Sequence, residues 1–131
     1  MTKKVFISYR NDAEGGRHKN LLVAWSKNDR FLDFEFNDLS IGTSINSTDA
    51  NYIKSVIKRK IAECDTVLCL VGENTADSDW VNWELEKAVE LNKQILAVKI
   101  NNSYNSPEKL KSIGADWVRT FTLASIKEKM R

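Results

Sequence analysis

The sequence predicts an α/β fold: a three-layer sandwich in which helices cover both faces of a five-stranded, mostly parallel sheet. Two observations lead to this prediction. Short runs of β-branched and aromatic residues alternate along the chain with longer segments whose apolar residues recur at helical spacing. The 131 residues also have the length of a single domain, spanning 1–131, which is enough to bury one core.

The first half of the chain predicts two strands and two helices. Val5–Tyr9 is an apolar run typical of a buried strand, and a polar loop follows it. His18–Asn28 carries apolar residues at helical spacing and predicts the first helix. Phe31–Phe36 alternates apolar and acidic residues, as an edge strand with one wet face does. A long polar loop over 37–49 then leads to a helix at Ala50–Glu63.

The second half predicts three more strands and three more helices. Thr66–Val71 is a continuous apolar run, which is typical of a strand covered on both faces. The remaining predicted elements are a helix at Asp79–Asn92 capped by Ser78 or Asp79, a strand at Ile95–Ile100, a short helix at Pro107–Ile113, a strand at Trp117–Phe121 and a helix at Leu123–Met130. The wet second strand belongs at a sheet edge, which favours the flavodoxin-like strand order 2-1-3-4-5.

Composition limits the partners and the compartment. The net charge of +2 is small for a nucleic-acid-binding domain, so no nucleic acid is expected as a partner. No signal peptide and no membrane-length apolar stretch is present, so we expect a cytoplasmic protein without a membrane partner. Cys64 and Cys69, with His18 as the single histidine, predict buried free thiols and no metal site. His18 itself is expected on the solvated surface.

The predicted strand order locates a binding crevice. Parallel sheets of this kind bind ligands beyond the carboxyl ends of strands 1 and 3, where the strand order reverses. The loop after strand 1 begins with Ser8, Tyr9 and Arg10, and the loop after strand 3 begins at Gly72. The helix that starts near Trp80 follows the second of these loops. All of these residues therefore border one crevice.

Several doubly wound functions lack their required residues at this crevice. The sequence has no Gly-Lys-Ser/Thr phosphate loop, and no Gly-x-Gly-x-x-Gly follows strand 1. A phosphate-accepting receiver domain needs acids after strand 1 and an aspartate at the end of strand 3, and a flavodoxin needs a hydroxyl- and glycine-rich loop after strand 1. With one histidine, no serine or cysteine triad is credible either. What remains is one carboxyl group, Glu84.

Glu84 is not explained as a helix cap. With Asp79 as the N-cap, a capping box would require the acid at Asn82. Glu84 instead borders the apolar stripe that includes Leu85. A carboxyl group at such a border has limited hydration and a raised pKa, as in a functional acid. The alternative is an exposed ion pair with Lys87, which contributes little to stability. The residue pattern leaves both interpretations open.

Three motifs resemble TIR (Toll/interleukin-1 receptor) domains. Val5–Arg10 resembles their first strand, and Leu39–Gly42 resembles the loop after their second strand. Trp80–Glu84 matches the Trp-x-x-x-Glu pattern of NAD-consuming TIR enzymes. The motifs follow the family's order over nearly the whole chain. The small size of the chain is similar to that of compact prokaryotic TIR-like proteins, some of which produce signals in Thoeris-type antiphage defence.

The resemblance implies an enzyme that cleaves the nicotinamide–ribose bond of NAD. Glu84 would be the catalytic residue, engaging the ribose hydroxyls and stabilising an oxocarbenium-like state. The resemblance further implies that substrate is bound by Ser8, Tyr9, Arg10, Asp38, Thr43 and Trp80. Within this set, Arg10 is suited to the diphosphate, the two loop residues could instead face a neighbouring subunit or solvent, and Trp80 is either a pocket wall or a core residue.

NAD is then the substrate, and no cofactor or metal is expected. The product is ADP-ribose in linear, cyclic or conjugated form, which a separate effector protein would detect. The resemblance also implies a TIR–TIR homo-oligomer. It leaves an alternative, a non-catalytic interaction module that signals by assembly. The loop over 37–49 departs from many receptor TIR domains because it has no proline.

Overall fold

A five-stranded parallel sheet forms the centre of the fold. A computed structural model of the protein describes residues 3–9, 13–27, 34–37, 50–73, 75–101, 103–107, 110, 112–118 and 120–130. The strands are β1 (Lys3–Ser8), β2 (Phe34–Asn37), β3 (Thr66–Val71), β4 (Gln94–Lys99) and β5 (Asp116–Val118). Their order is β2-β1-β3-β4-β5 and every neighbouring pair is parallel. The predicted α/β class and strand order are confirmed.

Within the described residues, four helices of more than one turn flank the sheet. They are α1 (Ala13–Lys27), α2 (Ala50–Glu63), α3 (Asp79–Glu90) and α4 (Leu123–Met130). A short 3-10 segment, Thr75–Asp77, precedes α3, and Leu110 and Ser112 are helical within the predicted short helix. The bounds of α2, β3 and α4 are those that the sequence predicts. None of the helices described has the length and apolarity that a membrane span requires.

Helix α1 begins five residues before its predicted start at His18. The prediction relied on apolar spacing, which begins only at Leu21, whereas the first turns of α1 are polar and contain Gly15 and Gly16. Glycine in a helix costs about 1 kcal/mol relative to alanine and does not by itself end the helix. His18 is half-buried, with its ring edge-to-face against Phe121 at a centroid distance of 4.9 Å, so its expected solvated position is wrong.

Four predicted strands also differ from the structure in extent. Strand β1 begins two residues before its predicted start and ends one residue early, and β4 begins and ends one residue early. Strand β2 is confirmed over 34–36 and continues to Asn37, which the sequence predicts as the start of the loop, and residues 31–33 of its predicted range lie outside the described residues. Strand β5 ends at Val118, not at the predicted Phe121. The reason lies in the next element: the Thr122 hydroxyl accepts a hydrogen bond from the Ser125 N–H at 3.2 Å. Thr122 therefore caps α4, and the chain before it turns instead of extending the strand.

The sheet separates two apolar clusters. On one face, α1 and α4 contribute Leu22 and Ile126 to a cluster with residues of β1, β3, β4 and β5. On the other, α2 and α3 contribute side chains such as Ile57 and Leu85. Each such side chain adds roughly 1.5–3 kcal/mol when it is fully buried. Sequestering apolar surface on both faces thus fixes the three layers.

Helix α3 begins beside the predicted crevice. Its N-cap is Ser78, whose hydroxyl accepts the Val81 N–H at 3.3 Å; of the two candidate caps, Asp79 is therefore the first helical residue. The helix ends at Glu90, two residues before its predicted end. Asn92 has a φ of 57°, and this left-handed conformation stops the helix. Glu84 consequently lies in the second turn of α3.

Candidate active site

Alternation along β1 determines which side chains can reach α3. Successive residues of a strand point to opposite faces. Phe6 belongs to the cluster beneath α2 and α3, and Ser8 shares its side of the strand. Ser8 is also paired in register with Cys69 of β3, which belongs to the same cluster. Two small polar side chains, a hydroxyl and a thiol, thus lie next to each other at the carboxyl end of β1 and face α3.

Glu84 of α3 lies over this pair. It is 1% exposed, and its Oε1 atom accepts a hydrogen bond from the Ser8 hydroxyl at 2.8 Å. Its second oxygen, Oε2, is buried without a hydrogen-bond partner among the described residues. A buried polar atom without a partner costs free energy, about 1–3 kcal/mol. Native proteins rarely leave such an atom without a partner, and an ordered water, an ion or a ligand can supply the missing hydrogen bond.

The burial of Glu84 changes its protonation. Removal from water raises the pKa of this carboxyl group to about 8, and the Ser8 hydrogen bond opposes the shift in part because it stabilises the charged form. The alternative of an exposed pair with Lys87 is wrong. Lys87 instead pairs with Glu90 at 3.0 Å. Of the two interpretations that the sequence leaves open, the structure therefore has the buried carboxyl group with a raised pKa, not the exposed ion pair.

Cys69 is fully buried and unreactive. Burial raises the pKa of its thiol far above the ordinary range, and the neighbouring negative charge of Glu84 adds to the shift. A thiol held in its neutral form is a poor nucleophile. Cys64 is also buried and free, as predicted, and burial raises its pKa to about 11. Neither cysteine has the properties of a catalytic nucleophile.

Trp80 lies one turn before Glu84 on the same side of α3. It is half-buried and packs against the apolar cluster under α2 and α3. Its ring meets Trp83 edge-to-face, with centroids 5.9 Å apart, and the Lys54 amine of α2 lies 5.8 Å from both ring centroids. Trp80 therefore joins α2 to α3 as a core-edge residue, and it keeps part of its surface exposed.

The other predicted substrate-binding residues are distributed differently. Tyr9 is 3% exposed and its ring belongs to the apolar cluster on the α1 side of the sheet, where the Lys19 amine lies 5.9 Å from the ring centroid. The structure therefore does not bring the Tyr9 ring to Glu84. Arg10, Asp38 and Thr43 lie outside the described residues.

The loop after β3 contains a residue that the sequence pattern did not single out. Thr75 is buried, and its hydroxyl accepts the Gly72 N–H at 2.8 Å. This bond fixes the start of the loop at the carboxyl edge of the sheet. A Thr three residues after a strand-terminal glycine is a weak signal, because such hydroxyl–backbone bonds are common in turns.

The larger described cavity lies away from this site. Its volume is about 370 Å³, and it borders the start of β4, where Ile95 and Lys93 contribute to its lining. Glu84 lies instead near the carboxyl ends of the strands. Among the described residues, no group of acids, histidines and cysteines has the arrangement of a metal site.

Comparisons with known proteins give a family and a fold. Residues 6–105 match the family described as "Thoeris protein ThsB, TIR-like domain", a span that includes Ser8 and Glu84. No curated protein matches the sequence. Three solved structures illustrate the fold. A conserved protein from Enterococcus faecalis V583 has a TM-score of 0.75 at 11% identity, covering 99% of this chain and 98% of the other.

The two further structures are enzymes. The CMP N-glycosidase BcmB from Clostridium botulinum has a TM-score of 0.65 at 14% identity, covering 98% of each chain. A 2-deoxyribosyltransferase from Bacillus psychrosaccharolyticus has a TM-score of 0.66 at 14% identity, covering 95% of this chain and 90% of the other. At these identities the likeness is one of fold.

Proposed function

Because the chain belongs to the Thoeris ThsB family of TIR-like domains, we propose that it cleaves the nicotinamide–ribose bond of NAD. The products are nicotinamide and ADP-ribose in linear, cyclic or conjugated form. One observation carries the proposal: the buried Glu84 carboxyl group is held through one oxygen by Ser8 of β1, and its other oxygen has no hydrogen-bond partner among the described residues. Support also comes from the fold, on which a CMP N-glycosidase and a 2-deoxyribosyltransferase are built.

The reaction requires stabilisation of a cation. The bond between the ribose C1′ and the nicotinamide nitrogen breaks, its electron pair passes to that nitrogen, and C1′ becomes oxocarbenium-like. Water, or a hydroxyl of the adenosine part or of an acceptor, then adds its oxygen to C1′ and releases a proton. An ionised Glu84 beside the ribose would stabilise the positive charge, and more strongly in a dry site than in water. No metal or cofactor enters this scheme.

The biological setting of the proposal is antiphage defence. The released ADP-ribose product serves as a signal for a separate effector protein, and the chain is proposed to form a TIR–TIR homo-oligomer. Arg10, Asp38 and Thr43 remain proposed contacts for substrate or for a neighbouring subunit. Trp80 is proposed to border the nicotinamide end of the pocket through the exposed part of its ring.

Incubation of the purified protein with NAD tests this function. We expect nicotinamide and one ADP-ribose product to accumulate, and chromatography of the second product distinguishes hydrolysis, cyclisation and conjugation. The incubation is repeated with lysate from phage-infected cells, in case a trigger is required. If no nicotinamide is released under any condition and the protein assembles in a concentration-dependent way, the enzymatic function is rejected in favour of a non-catalytic interaction module.

The rate of NAD cleavage should rise with pH. A carboxyl group with a pKa of about 8 is only about one-tenth ionised at pH 7. If the ionised form is required in the free enzyme, kcat/KM rises about tenfold per pH unit below pH 7.5 and levels off above pH 8. Initial rates of nicotinamide release between pH 5.5 and 9 measure this. A rate that falls over the same range would contradict the need for an ionised Glu84.

A further inference from the structure

The hydroxyl of Ser8 is already engaged. Ser8 is fully buried and donates its proton to Glu84 Oε1 at 2.8 Å. A hydroxyl has one proton to donate, so Ser8 cannot also donate to a substrate while this bond exists. Among the residues that the structure describes, its hydroxyl has one polar partner, the carboxyl group that the proposed function uses.

Cys69 occupies the matching position on the next strand. Its Cα is paired in register with that of Ser8, and both side chains face α3. Burial raises the pKa of the Cys69 thiol, and the charge of the neighbouring Glu84 raises it further. A thiol is a weak hydrogen-bond donor, whereas a hydroxyl is a strong one. The strand pair therefore offers Glu84 one strong donor and not two.

We infer that Ser8 is a positioning residue for Glu84, not a substrate ligand. Because the thiol of Cys69 does not compete for Oε2, this atom is the single carboxyl oxygen that contacts the substrate. That a substrate contacts Oε2 rests on the proposed function. The geometry alone supports the rest. One oxygen is held by β1, the other has no partner among the described residues, and the neighbouring position on β3 carries a group that does not compete for it.

This arrangement restricts the carboxyl group to one orientation. A glutamate side chain has a broad terminal torsion, and a hydrogen bond to one oxygen removes most of that freedom. In the described part of the chain, the titratable groups of α2, α3 and β3 have other partners or are neutral, so they do not fix the orientation of the Glu84 carboxyl group. On α3, Lys87 pairs with Glu90; on α2, Lys54 lies over the two tryptophans; and on β3 the titratable group is the neutral thiol.

Substitutions at the two strand positions should shift the titration of Glu84 in opposite directions. Ser8→Ala removes the donor that favours the charged form, so the midpoint of the kcat/KM profile should rise by about one pH unit. It should also lower kcat about tenfold and leave KM nearly unchanged. Cys69→Ser adds a second hydroxyl, so the midpoint should fall by about half a unit to one unit. Cys64→Ser alters a buried thiol elsewhere in the same cluster and should leave the midpoint of the kcat/KM profile unchanged.

A second readout does not depend on turnover. The carboxyl carbon of Glu84 is followed by NMR in protein labelled with 13C-glutamate, its signal being assigned from Glu84→Gln. If the full chain releases no nicotinamide but this signal titrates in the predicted directions, the proposed function fails and the positioning role stands. If Ser8→Ala does not fold, Ser8→Cys provides the near-isosteric weak donor, with the same expected direction.

Two results would overturn the inference. One is a Ser8→Ala variant with raised KM, unchanged kcat and an unmoved midpoint, which is the behaviour of a substrate ligand. The other is a Glu84 carbon signal whose titration is identical in wild type, Ser8→Ala and Cys69→Ser, since a merely structural serine and cysteine would leave it unchanged.

Discussion

Glu84→Gln should make the folded protein about 4 kcal/mol more stable than wild type at pH 8, with little difference at pH 5. The reason is linkage between folding and proton binding. The pKa of this carboxyl group is about 8 in the folded state and has an ordinary value of 4.5. Between these values the unfolded chain releases a proton that the folded chain retains, so burial of Glu84 opposes folding increasingly as the pH rises, by about 1.4 kcal/mol per pH unit. Glutamine keeps the shape and cannot ionise.

Urea unfolding at half-unit steps from pH 5 to pH 8.5 measures this difference. Subtracting the variant from wild type at each pH removes the contribution of every other titrating group. Glu86→Gln is the matched control, because Glu86 is exposed on the same helix, and its difference from wild type should stay constant. If the free energies of unfolding of Glu84→Gln and wild type change with pH in parallel, Glu84 is not buried with a raised pKa.

The fold was largely readable from local sequence. The continuous apolar run of β3 and the helical stripe of α2 each gave the observed bounds, because burial on both faces or on one stripe leaves a clear pattern. The start of α1 could not be read, because its first turns are polar and include glycines. Backbone hydrogen bonding sets that boundary, and it leaves no apolar pattern.

The site was readable only in part. Glu84 borders an apolar stripe, but whether it points to solvent or to the sheet depends on what packs against α3, which no local pattern contains. The separation of Ser8 from Tyr9 was available in principle, since neighbouring residues of a strand face opposite sides. The prediction assigned both residues to the crevice because they start the same loop, and so it missed that their side chains point to opposite faces of the sheet. The position of Cys69 beside Ser8 depends on the register between β1 and β3, which is a property of the assembled sheet.

Glu84→Gln should also reduce the rate of nicotinamide release about 10³-fold. Charge that develops at the ribose C1′ would lose its buried counter-charge, and removal of one such stabilising group costs about 10²- to 10³-fold in kcat. Loss of structure cannot account for the effect, because the same variant is expected to be at least as stable as wild type. Glu86→Gln should retain wild-type turnover.

The most direct measurement is therefore the rate of nicotinamide release by folded Glu84→Gln at pH 8, set against wild type and Glu86→Gln at equal concentration and saturating NAD. If Glu84 is the residue that stabilises the breaking glycosidic bond, wild type and Glu86→Gln release nicotinamide at matching rates and Glu84→Gln is slower by about 10³-fold. Release by Glu84→Gln at the wild-type rate would contradict the catalytic role of Glu84.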